Sequence, residues 1–202
     1  IVDETYRDLV MKTTIPPPCA LTLTRFHDRL ILIDSLSKRA GVPGMRIGAF
    51  VTFNTQFKEQ ALKFAMSRSG TGRIEQKISI PLLTQGEEIV ARNQAELRAR
   101  IARTVAALQC IQGINIFSPQ GGMFVIVKIP GVDTRKLLQF FLEEFRSEGQ
   151  TISFLSLQDF YLSEQEGIEE LRLAAVYPPE EMEAAIHVFH AGLIAFRLQI
   201  KG

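Results

Sequence analysis

In the stretch ILIDSLSKRAGVPGMRIGAF, residues 31 to 50, a lysine and an arginine share a glycine-containing loop between two apolar segments. Lys38 follows the run from Leu30 to Asp34, whose nearly continuous apolar character is that of a strand covered on both faces. Open α/β sheets place their ligands at the carboxyl ends of such strands. Ser35 and Ser37 add hydroxyls, Gly41 and Gly44 let backbone approach a ligand closely, and Arg46 adds a fixed fork of donors matched to a phosphate. A ligand bearing both a phosphate and a carbonyl, the carbonyl attacked by the lysine, uses all of these groups. An amine doing such chemistry near neutral pH must be kept partly unprotonated by burial or by a nearby cation, and a dry strand end beside Arg46 is suited to that. If the ligand is an aromatic aldehyde acting as an electron sink, a carboxylate is needed opposite its ring nitrogen. Asp3, at the end of a neighbouring apolar segment, is the candidate.

Other chemical signals are weaker. SGTG at 69 to 72 lacks the strand, lysine and hydroxyl residue of a phosphate-binding loop, and Gly121 and Gly122 have no third glycine to complete a dinucleotide turn. His187 and His190 share a helical face, but no carboxylate or cysteine is spaced to join them, so no metal is expected. Taken singly, Asp3 reads as a strand-end cap, Tyr6 as a half-buried aromatic, Lys38 as a solvated charge and Arg172 as a surface strand residue. It is their occurrence together that points to a site.

The elements that must position these residues follow from periodicity. Ile1 and Val2 read as the end of a strand, Leu30 to Asp34 as a second and Met45 to Phe53 as a third; IPPPCA, from Ile15, cannot be helix interior. From Gln56 the spacing of Phe57, Ala61, Leu62, Phe64 and Ala65 predicts an amphipathic helix up to the SRSGTG break. Beyond Pro81, Thr84 and Glu87 have capping-box spacing, and Val90, Leu97, Ile101, Val105 and Leu108 predict a long helix stopped by Gly113. Then come GMFVIVKIP as a strand, Asp133 to Glu148 as a helix, TISFLSL and ELRLAAV as strands, and a last helix from Pro179 burying Met182, Ile186, Phe189, Leu193 and Phe196. The expected organisation is α/β: residues 1–95 as part of a mainly parallel sheet with helices, and residues 96–202 as a smaller α+β domain, joined through the long helix.

Composition narrows the function classes. A formal net charge of +1, from 23 basic and 22 acidic residues, supplies no field to attract nucleic acid. Cys19 and Cys110 are too few for a disulfide scaffold or zinc knuckle and suit a reducing, cytoplasmic compartment. No apolar run approaches the ~20 residues of a membrane span.

DETY (3–6), SLSKRAGVPGMRIG (35–48), GGMFVIVKIPG (121–131) and ELRLAAVYPPEEMEAAI (170–186) occur in the order and at the separations of a known family. With them the chain resembles the fold-type I, pyridoxal-phosphate-dependent aminotransferases of class I/II. The resemblance implies pyridoxal 5′-phosphate as cofactor and Lys38 as its covalent anchor and proton shuttle. It implies Asp3 on the pyridine nitrogen, Tyr6 on the cofactor's ring oxygen, Ser35, Ser37 and Arg46 on the phosphate, and Arg172 on the substrate carboxylate. An L-amino acid and a 2-oxo acid are the implied substrates, and a homodimer the implied assembly.

The family's glycine-rich phosphate turn, ring-stacking aromatic and first strands lie before the aspartate. The chain therefore reads as a C-terminal fragment lacking the N-terminal part of the large domain, and as a poor catalyst alone. Before Arg172 the family often has a glycine leading to a phenylalanine; here SLQDFYLSEQEGIEEL keeps Phe160 without that glycine, which leaves substrate choice open. A lyase or synthase on the same scaffold, or a cofactor-free interaction or regulatory fragment, are the alternatives.

Overall fold

The structure is a computed structural model that describes residues 1–11 and 17–200, so Ile15 and Pro16 of the proline stretch lie outside the described residues. Contacts group the chain into two compact units, Ile1–Ala95 with Gln120–Gly122, and Glu96–Pro119 with Met123–Gly202. The fold is mixed α/β.

In the first unit β1 (Val2–Asp3) runs parallel to β2 (Ile31–Ser35), with Val2 opposite Leu32 and Asp3 opposite Ile33. On the other side of β2, β3 (Gly48–Thr52) is antiparallel, from Ile31 opposite Thr52 to Ser35 opposite Gly48. Among the described residues the sheet thus holds one parallel and one antiparallel pairing. The cause of the antiparallel one is the β2–β3 connection, whose only α-helix is α1 (Leu36–Arg39). Four residues rise only about 6 Å, so they cannot carry the chain back along β2 for a parallel return, and it turns beside β2 instead. Leu32 packs with Ala20 and Leu30 in a small core fringed by Cys19, Leu21 and Val51.

Three longer helices follow: α2 (Thr55–Ser67), α3 (Arg73–Thr84) and α4 (Glu87–Gln109). Asn54 caps α2 by accepting from Phe57 N at 3.1 Å. The capping-box reading of Thr84 is overturned: α3 continues through Pro81 to Thr84, whose hydroxyl donates back to Ile80 O at 2.9 Å. The break falls at Gly86, whose carbonyl accepts from Val90 N at 2.8 Å. A Cβ there would stand 1.9 Å from Leu82 O, so only glycine lets the two helices meet this closely. The apolar stripe of α2 is left open, with Leu62 56% and Phe64 73% exposed, and Ile74, Ile78 and Leu83 of α3 are exposed as well. Periodicity states that a face wants cover; among the described residues this unit does not provide it.

The second unit is a four-stranded antiparallel sheet, β4 (Asn115–Phe117), β5 (Phe124–Lys128), β6 (Leu155–Ser156) and β7 (Glu170–Ala174), in the order β4-β5-β7-β6. Alternation along β5 and β7 buries Val125, Val127, Leu171 and Leu173. Against them lie α5 (Thr134–Glu143) and α6 (Pro179–Gln199), the latter burying Met182, Ile186, Phe189, Leu193 and Phe196 as its spacing predicts. Asp133 caps α5, accepting from Arg135 N at 2.9 Å and Lys136 N at 3.3 Å. This helix ends earlier than expected: Phe145 N reaches back to Phe140 O, and Ser147 and Gln150 then exchange hydrogen bonds around Glu148 and Gly149, both at positive φ. The strand read from TISFLSL shrinks to β6, because pairing with β7 reaches only Leu155 opposite Arg172 and Ser156 opposite Leu171.

Gly192 marks where α6 crosses α5. An added Cβ would come within 2.2 Å of the fully buried Phe141 ring, itself packed edge-on against Phe154 with centroids 5.6 Å apart. Alanine favours a helix interior over glycine by about 1 kcal/mol, while overpacking a filled core costs about 1–3 kcal/mol. Because the ring has nowhere to retreat, the clash should win: Gly192→Ala is expected to lower the urea-unfolding midpoint of the second unit, and an unchanged or higher midpoint would show that the ring can move.

Candidate active site

Ser35 ends β2 in extended conformation (φ −153°, ψ 143°) and starts α1 as its N-cap. Its Oγ accepts from Ser37 N at 3.1 Å, donates to Ile47 O at 2.9 Å, and stands 2.9 Å from Ser37 Oγ. The hydroxyl proton of Ser35 is thus used within the fold, tying the start of α1 to the segment that leads into β3. Buried Leu36 pins the other side of the turn. Lys38, half-buried, therefore sits just beyond the carboxyl end of β2 on a very short, heavily tethered helix.

Several tethers are residues that periodicity and motif spacing gave no reason to single out. Asn93 of α4 donates through Nδ2 to Lys38 O at 2.8 Å and Arg39 O at 3.0 Å, closing the carbonyl end of α1. Arg39 lies between Asp34, at 2.8 Å, and Asp8. Gln94, buried, bonds Asp8 O in turn. The residue beside the lysine is thereby clamped to both β2 and the loop after β1. Lone asparagines and a charged triplet spread from residue 8 to residue 39 leave no linear signature.

Asp3 ends β1, and Tyr6 follows in the loop after it, at the same end of the parallel pair. Thr5 donates to Asp3 Oδ1 through its amide at 2.9 Å and its hydroxyl at 2.6 Å. Those two bonds, the hydroxyl's first, hold the Asp3 carboxyl below its ordinary value of 3.8 against a small opposing effect of burial. The Tyr6 ring centroid is 5.8 Å from Lys38 Nζ. Nearby, Gly121 pairs with Val10, and Gly122 N donates to Leu9 O at 2.8 Å, so GG of GGMF lies against this loop. A Cβ at Gly122 would come 3.7 Å from the Tyr6 ring. Arg46 closes the set from the β3 side: it takes a left-handed conformation (φ 54°, ψ 40°), donates to Pro43 O at 3.0 Å, and is exposed. The first unit therefore gathers Asp3, Tyr6, Ser35, Ser37, Lys38 and Arg46 at one end of its sheet. Among the described residues no cluster of His, Cys, Asp or Glu could hold a metal ion.

Arg172 belongs to the second unit, on β7 opposite Ile126 and Leu155. Its guanidinium carbon lies 4.2 Å from the Phe124 ring centroid and 4.7 Å from that of Phe160. No carboxylate among the described residues forms an ion pair with it.

With the geometry established, three kinds of likeness bear on it. The profile of the family "Aminotransferase class I and II" matches residues 1–189. Among characterised proteins, 1-aminocyclopropane-1-carboxylate synthase 3 of Solanum lycopersicum is 30% identical over 117 residues, covering 57% of this chain and 24% of that protein. Among solved structures, the α-aminoadipate aminotransferase LysN of Thermus thermophilus, complexed with N-(5′-phosphopyridoxyl)-L-leucine, superimposes with a TM-score of 0.82 at 21% identity, over 98% of this chain and 50% of that one. A multiple substrate aminotransferase of Thermococcus profundus gives 0.77 at 20% identity, over 98% and 48%. The kynurenine aminotransferase of Pyrococcus horikoshii gives 0.77 at 20%, over 96% and 47%. The chain thus spans about half the length of these structures and a quarter of the plant enzyme.

The Asp3 carboxyl offers a direct check on the loop after β1. With its folded value depressed, Asp3 contributes stability in full above about 3.8, and that contribution is lost as pH falls through the lower folded-state value. Thr5→Val removes the hydroxyl donor, so carboxyl-carbon NMR titration should show the Asp3 midpoint rising towards its ordinary value; an unmoved midpoint would mean that Thr5 is not the cause.

Proposed function

The chain belongs to the aminotransferase class I and II family, and we propose that it carries the lysine-bearing half of a pyridoxal-phosphate-dependent aminotransferase that moves an amino group between an L-amino acid and a 2-oxo acid. The observation that carries this reading is the position of Lys38 beyond the carboxyl end of β2, with Asp3 at the same end of its parallel neighbour and Tyr6 just beyond it. The donor set fits the cofactor: a half-buried amine, a carboxylate held ionised by two hydrogen bonds, a phenol, and a guanidinium for the phosphate.

When bound, pyridoxal 5′-phosphate supplies a conjugated ring that draws electron density from the substrate α-carbon. Lys38 would hold it through Nζ, and as a free amine that same nitrogen would take the substrate α-proton and carry it. Asp3, ionised, would keep the ring nitrogen protonated, Tyr6 would position the ring oxygen, and Arg46 with Ser37 would orient the phosphate. Ser35 contributes mainly by fixing Ser37 and α1, since its own proton goes to Ile47 O. Arg172 receives the substrate carboxylate in a two-pronged bond. Turnover by these 202 residues alone is expected to be weak, because cofactor binding needs preorganised contacts from several strands and the first unit contributes three. The uncovered apolar faces of α2 and α3 support burial in a larger assembly, for which we favour a homodimer. The free thiols of Cys19 and Cys110 support a cytoplasmic setting.

A synthase or lyase on this scaffold is the second reading, favoured by the sequence likeness to the plant synthase. Transfer of the amino group from glutamate to a 2-oxo acid supports the first reading, and product release without a 2-oxo acceptor supports the second. Borohydride trapping tests the shared premise. Incubation with pyridoxal 5′-phosphate, reduction and peptide mapping should place one adduct at Lys38, lost in Lys38→Ala. Adducts scattered over surface lysines would remove the assignment.

A further inference from the structure

The surroundings of Arg172 differ from those of its neighbours in the second unit. Arg100, Arg103 and Arg135 each face a carboxylate, and Arg146 and Arg197 donate to backbone carbonyls. Arg172 instead has aromatic rings beside it, Phe124 at 4.2 Å and Phe160 at 4.7 Å from its guanidinium carbon. Those rings come from separate places: Phe124 begins β5, while Phe160 ends the short helical turn Gln158–Phe160 in the connection from β6 to β7. Phe160 is 56% exposed, so burying it in a core does not explain its position.

We propose that Phe124 and Phe160 form an aromatic clamp that presents the Arg172 guanidinium to a planar carboxylate, with Phe160 as a positioning residue. This rests on the reading of Arg172 as the carboxylate-binding group. Ring faces attract a guanidinium while offering no hydrogen-bond acceptor. They therefore restrain the group without using up its N–H donors, whereas an aspartate in their place would pair with it and compete with the ligand. Ordering the long side chain beforehand also removes part of the entropy cost of binding.

The test uses the 202-residue chain labelled with 15N, pyruvate as the carboxylate probe, and the Arg172 Nε–Hε NMR signal as readout. In the unaltered chain that signal should be displaced by the ring currents and should move on adding pyruvate, while Arg172→Lys loses pyruvate binding. Phe160→Leu should return the signal towards the ordinary arginine position and weaken pyruvate binding by roughly three- to tenfold; Phe160→Tyr, which keeps the ring, should restore both. Phe124→Leu should shift the signal in the same direction. If pyruvate leaves the Arg172 signal of the unaltered chain unmoved, the carboxylate reading fails and the proposal with it. If pyruvate binds through Arg172 but Phe160→Leu binds it equally well with the signal in place, the clamp alone is overturned.

Discussion

Parallel pairing of β1 with β2 is the interaction on which the candidate site depends. The register sets Asp3 opposite Ile33, and Glu4 N extends the ladder to Ile33 O at 2.8 Å. A parallel pair sends both chains out at the same end, so the loop after β1 and the helix after β2 emerge side by side. One register slip would turn every side chain of β1 to the opposite face, and Asp3 would no longer accompany Lys38. The few hydrogen bonds of a two-residue strand are reinforced by the Asp8–Arg39–Asp34 ion pairs, which tie the two exits together beyond the ladder.

A second constraint is rigidity around an otherwise weak element. A four-residue helix is far too short to be stable by itself. Ser35 at its start, Leu36 beneath it, Asn93 at its carbonyl end and Arg39 between two carboxylates together do what length cannot. The role proposed for Lys38, alternately anchoring a ligand and moving a proton, calls for a fixed backbone and a mobile side chain. Tethers confined to the main chain and to neighbouring residues provide that combination. The aromatic environment of Arg172 follows a similar rule in the second unit, where the contacts restrain the group and leave its donors available.

The two units also differ in how complete they are. The second buries interlocked rings, with Phe141, Phe154 and Phe189 centroids 5.6 to 5.9 Å apart, against a four-stranded sheet. The first has a small core around Leu32 and two helices whose apolar sides face outward. Such faces rarely persist on a monomeric surface, and their presence accords with a chain that spans about half the length of the structures it resembles.

The amino-acid sequence by itself determined the strong local features: β2 from its apolar run, α6 from the spacing of Met182 to Phe196, the α2 segment from Gln56 to the glycine break, and the presence of Lys38 and Arg46 on one loop. These depend on neighbours within a turn or two, which is the range over which periodicity and capping act. Tertiary structure alone decided the antiparallel return of β3, the continuation of α3 past Pro81, the early end of α5, and the roles of Asn93, Arg39 and Phe160. Each of these is fixed by a partner distant in sequence, as Asn93 is by Lys38 O, or by space left at one atom, as at Gly86 beside Leu82 O. Local residue order carries no record of such meetings, because the energy that settles them exists only once the chain has closed on itself.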